Sequence, residues 1–273
     1  MYVPLIINNN CIELLYRGVA GMKIAIVTGV SKGLGKSIAE LFMESGIDVI
    51  GISRSETKYL EEHAQKHQVT YYHHKCDLAD LLSIEEVLAQ VVEQIKEPEI
   101  STIYLVNNAA TLDPIEQANN IKSQELAKHV QINTVAPMVI LNRLLHEISE
   151  TDANLFAVNI TSGAGERPIY GWSAYCSTKA SINMYTKTVA LEQGKQTTGN
   201  KVIAFNPGVM DTNMQEKIRA SSPDAFIDVE KFKAYKENNE LKTSHEVAQV
   251  VVDIMTDDIN MENGKIYSIK DYV

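Results

Sequence analysis

Cysteine is scarce in this chain. Its 273 residues hold only three, Cys11, Cys76 and Cys176, with no metal-ligand spacing and no pairing pattern. That excludes a disulfide framework and fits a reducing, cytoplasmic setting. Positive charge is short as well: 25 Lys and Arg stand against 35 Asp and Glu, for a net charge of −10. Nucleic acid and anionic membrane are therefore poor partners. No apolar run is long enough to span a bilayer. Linkers, repeats and low-complexity tracts are also missing. What is present, 45% hydrophobic and 22% charged residues, is the composition of a water-soluble domain with a substantial core.

The first 21 residues are apolar but lack a basic segment and a small-residue cleavage site, so they do not read as a secretory signal. They are taken as an extension of doubtful structural role, with Met22 a candidate start and 22–273 the functional domain. From Lys23 onward strands and helices alternate, which predicts a single doubly wound α/β domain with a mostly parallel sheet of about seven strands. The expected strands are Lys23–Val27, Asp48–Ser53, Val69–Cys76, Ile103–Val106, Leu155–Ile160, Lys201–Phe205 and Lys265–Ile269. Ser83-Ile84-Glu85-Glu86 reads as a capping box opening a helix. Ser123 to about Ile148 reads as one long helix interrupted by Pro137, and 213–243 as a polar, irregular stretch with the length of a lid.

Several stretches carry chemistry. Thr28-Gly29-Val30-Ser31-Lys32-Gly33-Leu34-Gly35 falls between a strand and a helix, where a glycine-rich turn lets backbone approach a pyrophosphate at the helix N-terminus. The second strand ends in Ser53-Arg54 and has no acid for a ribose diol. Arg54 and Lys32 together suit a 2′-phosphate, hence NADP rather than NAD. Asn107-Asn108-Ala109-Ala110 and Thr161-Ser162-Gly163 end two further strands, on the edge where open parallel sheets bind ligands. Asn133 sits among apolar helix residues and needs a partner if buried.

The organising stretch is Gly171-Trp172-Ser173-Ala174-Tyr175-Cys176-Ser177-Thr178-Lys179. On a helix Tyr175 and Lys179 share a face, with Cβ atoms roughly 5–6 Å apart. A neighbouring ammonium lowers a phenol's pKa, making the pair a general acid/base for a carbinol oxygen. Tyr71 and Lys75 have the same spacing on an expected strand, where they read as a sheet residue and a solvated end. Cys176 has no evident base and reads as a packed thiol. His63, His67, His73 and His74 show no sequence pattern with a carboxylate or cysteine, so no metal is expected. Trp172, Met210 and Met214 are placed beside the cleft as walls for an aromatic substrate, contacting it with Ser162 and Tyr175.

Together these residues resemble the short-chain dehydrogenases/reductases over 22–273. Thr28-Gly29 through Gly33-x-Gly35 is similar to that family's cofactor loop, Asp77-Leu78 to its adenine-contacting pair, and Asn107-Asn108-Ala109 to the motif steadying its sheet. Ala110 stands where the family usually has glycine. The resemblance places a catalytic four at Asn133, Ser162, Tyr175 and Lys179. It implies cofactor contacts from Gly29, Ser31, Lys32, Gly33, Leu34, Gly35, Arg54, Asp77, Leu78, Asn107, Tyr175, Lys179, Pro207, Gly208, Val209 and Thr212. Within the family the chain looks most like sepiapterin reductases and the benzil reductases that form (S)-benzoin. Thr161–Gly165, Gly171–Cys176 and Pro207–Met214 carry that likeness. It implies NADPH-dependent reduction of a ketone, with Ser162 holding the carbonyl oxygen, Tyr175 donating the proton, Lys179 tuning it and Asn133 anchoring a water. It also implies a homo-oligomer, dimer or tetramer. The alternative substrate is a pteridine side-chain ketone or other small ketone; the alternative class is a non-catalytic NADP(H)-binding redox sensor.

Overall fold

The computed structural model describes residues 21–97, 99–196 and 198–272; the expectation for the N-terminal extension falls, except for Gly21, outside them. Seven parallel strands form one sheet in the order β3-β2-β1-β4-β5-β6-β7. They are β1 (Met22–Thr28), β2 (Asp48–Ser53), β3 (Tyr71–Lys75), β4 (Ile100–Asn107), β5 (Asn154–Ile160), β6 (Lys201–Asn206) and β7 (Ile266–Ser268). A parallel sheet needs both faces covered, because helical crossovers lie on each. β1 shows how the sequence meets that need. Ala25 and Val27 pack with Ile38 and Phe42 of helix α1 (Gly33–Glu44), while Ile24 and Ile26 pack on the opposite face.

The first face is covered by α1, by α2 (Lys58–His67) and, through Val247, Val251 and Met255, by a C-terminal helix at Ser244–Thr256. The other takes α3 (Leu81–Ile95), α5 (Ala136–Ile148) and part of α6 (Ser173–Gln196). Cutting a fully buried Ile26 to Ala would cost about 2–5 kcal/mol, the usual range for an emptied core position.

Three local expectations need correction. The helix expected at Ser83 begins at Leu81 and is capped by Asp80, whose carboxylate accepts from the Leu82 N–H at 3.1 Å. An aspartate three residues earlier satisfies one first-turn amide and leaves the Ser83 box unused. The long helix is two, α4 (Ser123–Val130) and α5, joined by a π turn at Gln131–Val135 in which Ala136 N–H reaches the Gln131 carbonyl. Pro137 lies just beyond that turn and supplies no N–H for the Asn133 carbonyl four residues back. The stretch 213–243 is irregular only in part: it forms α7 (Asn213–Arg219) and α8 (Val229–Glu237), and the C-terminal helix, α9, starts at a Thr243–Glu246 capping box. Tyr71 and Lys75 do lie on β3, the sheet's edge.

Candidate active site

The sheet order reverses between β1 and β4, and the carboxyl ends of the strands open there into a cleft of about 1790 Å³. Each strand end delivers a stretch singled out above. β1 leads into the glycine loop, β5 into Thr161-Ser162-Gly163, and β6 into Asn206-Pro207-Gly208. Ser31, Lys32, Gly33, Arg54, Asp77 and Leu78 line one end of the cleft. Ser162, Trp172, Tyr175, Met210 and Met214 line the other. Gly29, Leu34, Lys179, Pro207, Gly208, Val209 and Thr212 lie along the wall between.

Three expected site residues do not reach the wall. Gly35 packs under the loop, where an added Cβ would meet the Gly29 carbonyl oxygen at 2.5 Å. The Asn107 amide is buried and donates to the Pro137 carbonyl and to Asn159 Oδ1 at 3.0 Å, so it ties β4 to β5 and α5 rather than facing a ligand. Asn108 beside it donates to the Thr28 carbonyl at 2.9 Å and holds the glycine loop in place. Asn133 is buried one layer down. Its Oδ1 accepts from Thr111 N–H at 2.8 Å and its Nδ2 donates to the Thr111 carbonyl at 2.7 Å.

The second Nδ2 hydrogen of Asn133 goes to a residue sequence reasoning missed. His129, fully buried, has Nε2 3.0 Å from Asn133 Nδ2 and 3.1 Å from Thr178 Oγ1. Its Nδ1 lies 2.7 Å from the Asp113 carbonyl and must donate there, which leaves Nε2 as the acceptor in a neutral ring. Burial holds the imidazole pKa below its ordinary value, in keeping with neutrality. The signal for it is only a four-residue spacing, His129 to Asn133, on an expected helix. Asn133 is thus fixed on every side-chain atom, while its main-chain carbonyl lacks the Pro137 donor.

Tyr175 and Lys179 share a face of α6, with the Lys179 ammonium 5.6 Å from the Tyr175 ring centre. Lys179 Nζ donates to the Ile160 carbonyl at 2.7 Å; among the described residues its other N–H groups have no partner. The expected lowering of the phenol by the lysine is not what these surroundings produce. Burial pushes the Tyr175 pKa up to about 12, and the Ser162 side chain, not Lys179, pulls it partly back. Burial also pushes Lys179 down to about 8. The Ser162 hydroxyl accepts from Ala164 N–H at 3.2 Å and hydrogen-bonds the Tyr175 phenol oxygen, which puts both hydroxyls at one point of the cleft. Cys176 is partly buried and its pKa is raised, chiefly by burial, as befits an inert thiol.

Beyond Tyr175 lies an aromatic cluster that reaches the cleft through Trp172, Phe232 and Tyr235. Trp172 stacks on Phe226 at 4.9 Å and 7°, and meets Tyr175 edge-on at 5.5 Å. Phe232 of α8 stands edge-on to both Trp172 and Phe226 and leads on to Tyr235. Met214 packs against this cluster, whereas Met210 packs against the main core. Trp172 is therefore mostly enclosed by rings, 5% exposed, and borders the cleft through one edge of the cluster. Gly171 makes the closeness possible: at φ +78°, with the Ala225 carbonyl oxygen 2.0 Å from where a Cβ would stand, only glycine fits.

A family model for the short chain dehydrogenases matches residues 23–223. The chain belongs to that family. This short-chain dehydrogenase is 37% identical to a benzil reductase ((S)-benzoin forming) of Bacillus cereus, over 86% of this chain and 94% of the relative. It is 26% identical to the sepiapterin reductase of Meriones unguiculatus, over 76% of this chain and 81% of the relative. A crystal structure of the short chain dehydrogenase/reductase YIR035C from Saccharomyces cerevisiae superposes with a TM-score of 0.77 at 30% identity, covering 92% of this chain and 97% of that one.

Short-chain dehydrogenases are oxidoreductases that use a nicotinamide cofactor, and the residues here fit one. The first-turn N–H groups of α1 have no side-chain cap and no acid beside them, so they are free for a phosphate. Gly33, at φ +58°, faces open space, with Thr212 Cγ2 at 3.8 Å the nearest atom to an added Cβ. A side chain there would fill the cradle. No helix among the described residues is long and apolar enough to cross a membrane.

Proposed function

We propose that the protein is an NADPH-dependent carbonyl reductase acting on α-diketones with aromatic substituents, such as benzil, and giving a single α-hydroxyketone, (S)-benzoin in that case. The observation carrying this reading is Trp172, edge-on to Tyr175 at the cleft and backed by Phe226 and Phe232. Exposed edges of Trp172 and Phe232 receive aryl groups by edge contacts, with the Ser162 and Tyr175 hydroxyls beside them for the carbonyl oxygen. The Bacillus cereus likeness supports the same substrate class.

The bound cofactor would supply hydride to the carbonyl carbon. Ser162 turns its hydrogen from the Tyr175 oxygen to the carbonyl oxygen, which fixes the ketone and stabilises charge as it develops. Tyr175 then gives its proton to that oxygen; with a pKa near 12 it is fully protonated at neutral pH, the state a reduction needs. The Lys179 ammonium offers its unpaired N–H groups to the cofactor ribose and offsets the negative charge left on the phenol. The Asn133 carbonyl, which has no Pro137 N–H to accept, would hold a water that returns a proton from solvent.

The 2′-phosphate reading rests on the exposed Lys32 and Arg54 and on Ser53. That serine closes β2 and donates to the Ser55 carbonyl while the His73 imidazole lies 2.9 Å away. Among the described residues no carboxylate closes β2 to claim a ribose diol. The likeness to sepiapterin reductase favours a pteridine side-chain ketone as the second reading. Steady-state rates with benzil, diacetyl, a pteridine ketone and an oxoacyl thioester, each with NADPH and NADH, test both points. The proposal expects benzil with NADPH to have the highest kcat/KM. A preference for the pteridine ketone would replace the substrate, and equal use of NADH would remove the phosphate argument.

A further inference from the structure

Away from the cleft, the end of α1 meets the middle of α2, and three potential ligands converge. Glu44 closes α1, and His63 and His67 stand one turn apart on α2. One donor atom from each lies within 4.8 Å of the others. His63 Nε2 and His67 Nε2 are both shut off from solvent, and neither has a hydrogen-bond partner. The His63 side chain is only 10% exposed, and its Nε2 is 3.2 Å from Glu44 Oε1. That is close enough for attraction, yet the N–H is not aligned for a hydrogen bond. Buried polar atoms are nearly always satisfied, and two orphans on adjoining rings point to a missing common partner.

The rings are also held in place. His63 and His67 lie 4.6 Å apart centre to centre, Tyr59 stacks on the other side of His63 at 5.8 Å, and the Lys36 ammonium caps Tyr59 at 3.7 Å. This column limits how far the imidazoles swing and brings their nitrogens to the same side as the carboxylate.

We propose that Glu44, His63 and His67 form a binding site for a divalent transition-metal ion, zinc in the first instance. Two imidazoles and a carboxylate are a zinc donor set, and water completes the tetrahedron at the exposed side. Bond lengths of roughly 2.0–2.2 Å to nitrogen and oxygen call for donors somewhat closer together than here, a change within reach of side-chain rotation. Imidazole nitrogen selects zinc, nickel or copper over magnesium or calcium, which prefer all-oxygen shells. The ion joins α1, which begins at the glycine loop, to α2, which follows the Arg54 turn. It is thus a clamp between the two elements behind the cofactor's phosphate end, not a participant in the reaction.

The test uses the full, untagged chain stripped with chelator, titrated with zinc chloride by calorimetry and followed by thermal unfolding. The expected result is one zinc per chain and a Tm higher by roughly 5–10 °C at a hundredfold excess over Kd. His67→Gln and Glu44→Gln, each made alone, should weaken zinc at least tenfold while leaving the metal-free Tm and circular dichroism close to wild type. His73→Gln should bind as wild type does. Glu44 is partly exposed, so its variant keeps the test open if His67→Gln folds poorly. Absence of zinc binding by the wild type overturns the proposal. So does zinc affinity unchanged in both ligand variants, which would place the ion elsewhere.

Discussion

At Tyr175 burial and hydrogen bonding pull in opposite directions, and burial wins. The same burial acts on Lys179 with the opposite sign, because there the charged form is the protonated one. Its folded pKa, about 8, lies below the ordinary 10.5. Between those values the unfolded chain binds a proton that the folded chain does not, so stability rises with pH across that window. Below it both states hold the proton, and the cost of burying the charge is felt in full, on the order of 3 kcal/mol. Lys179→Met removes that cost. The cofactor-free variant should melt above wild type at pH 7, and the gap should close as pH rises from 8 toward 10.5. A gap independent of pH would mean that Lys179 is not a buried charge. His129 makes a second case. His129→Phe keeps a ring but strips Asn133 and Thr178 of a partner, so a roughly tenfold loss of kcat is expected with cofactor Kd unchanged. An unaltered kcat would show that the buried network does not position the site.

Among the elements, the turn into α6 and the segment carrying Phe226 depend on each other through Gly171. Gly171→Ala drives a methyl into the Ala225 carbonyl and should break the Trp172–Phe226 stack. Because Trp172 is the chain's only tryptophan, its fluorescence reports the damage directly. Emission should shift to the red as water reaches the indole, and KM for benzil should rise. Trp172→Ala should likewise raise KM for aryl diketones more than for diacetyl; equal effects would take the ring wall out of substrate recognition. These elements were unevenly legible in the sequence. The Tyr175 helix was plain because its chemistry lies at fixed spacing. α7 and α8 were not, since each is short, polar on most sides and anchored by a few residues such as Ile218 and Phe232. Only contact with Trp172 tells an irregular stretch from a helical wall. His129 was hidden for a similar reason: nothing in a polar run marks a histidine that tertiary packing will bury.

At the scale of the whole molecule, seven parallel strands bring to one edge residues as far apart in the chain as Gly33, Ser162 and Thr212. The alternation of strand and helix made that architecture readable, because a parallel sheet admits few arrangements and puts its loops at one end. The substrate was less readable, since it depends on how rings from separate segments meet. The account's central claim is that this cleft reduces a ketone with Tyr175 as the proton donor. Wild type and Tyr175→Phe, both saturated with NADPH, should be compared for benzil turnover, with the product resolved by chiral chromatography. The account predicts a single benzoin enantiomer from the wild type. For the variant it predicts a rate lower by roughly 10²–10⁴-fold, with NADPH binding retained. A Tyr175→Phe enzyme that reduces benzil at the wild-type rate would contradict it.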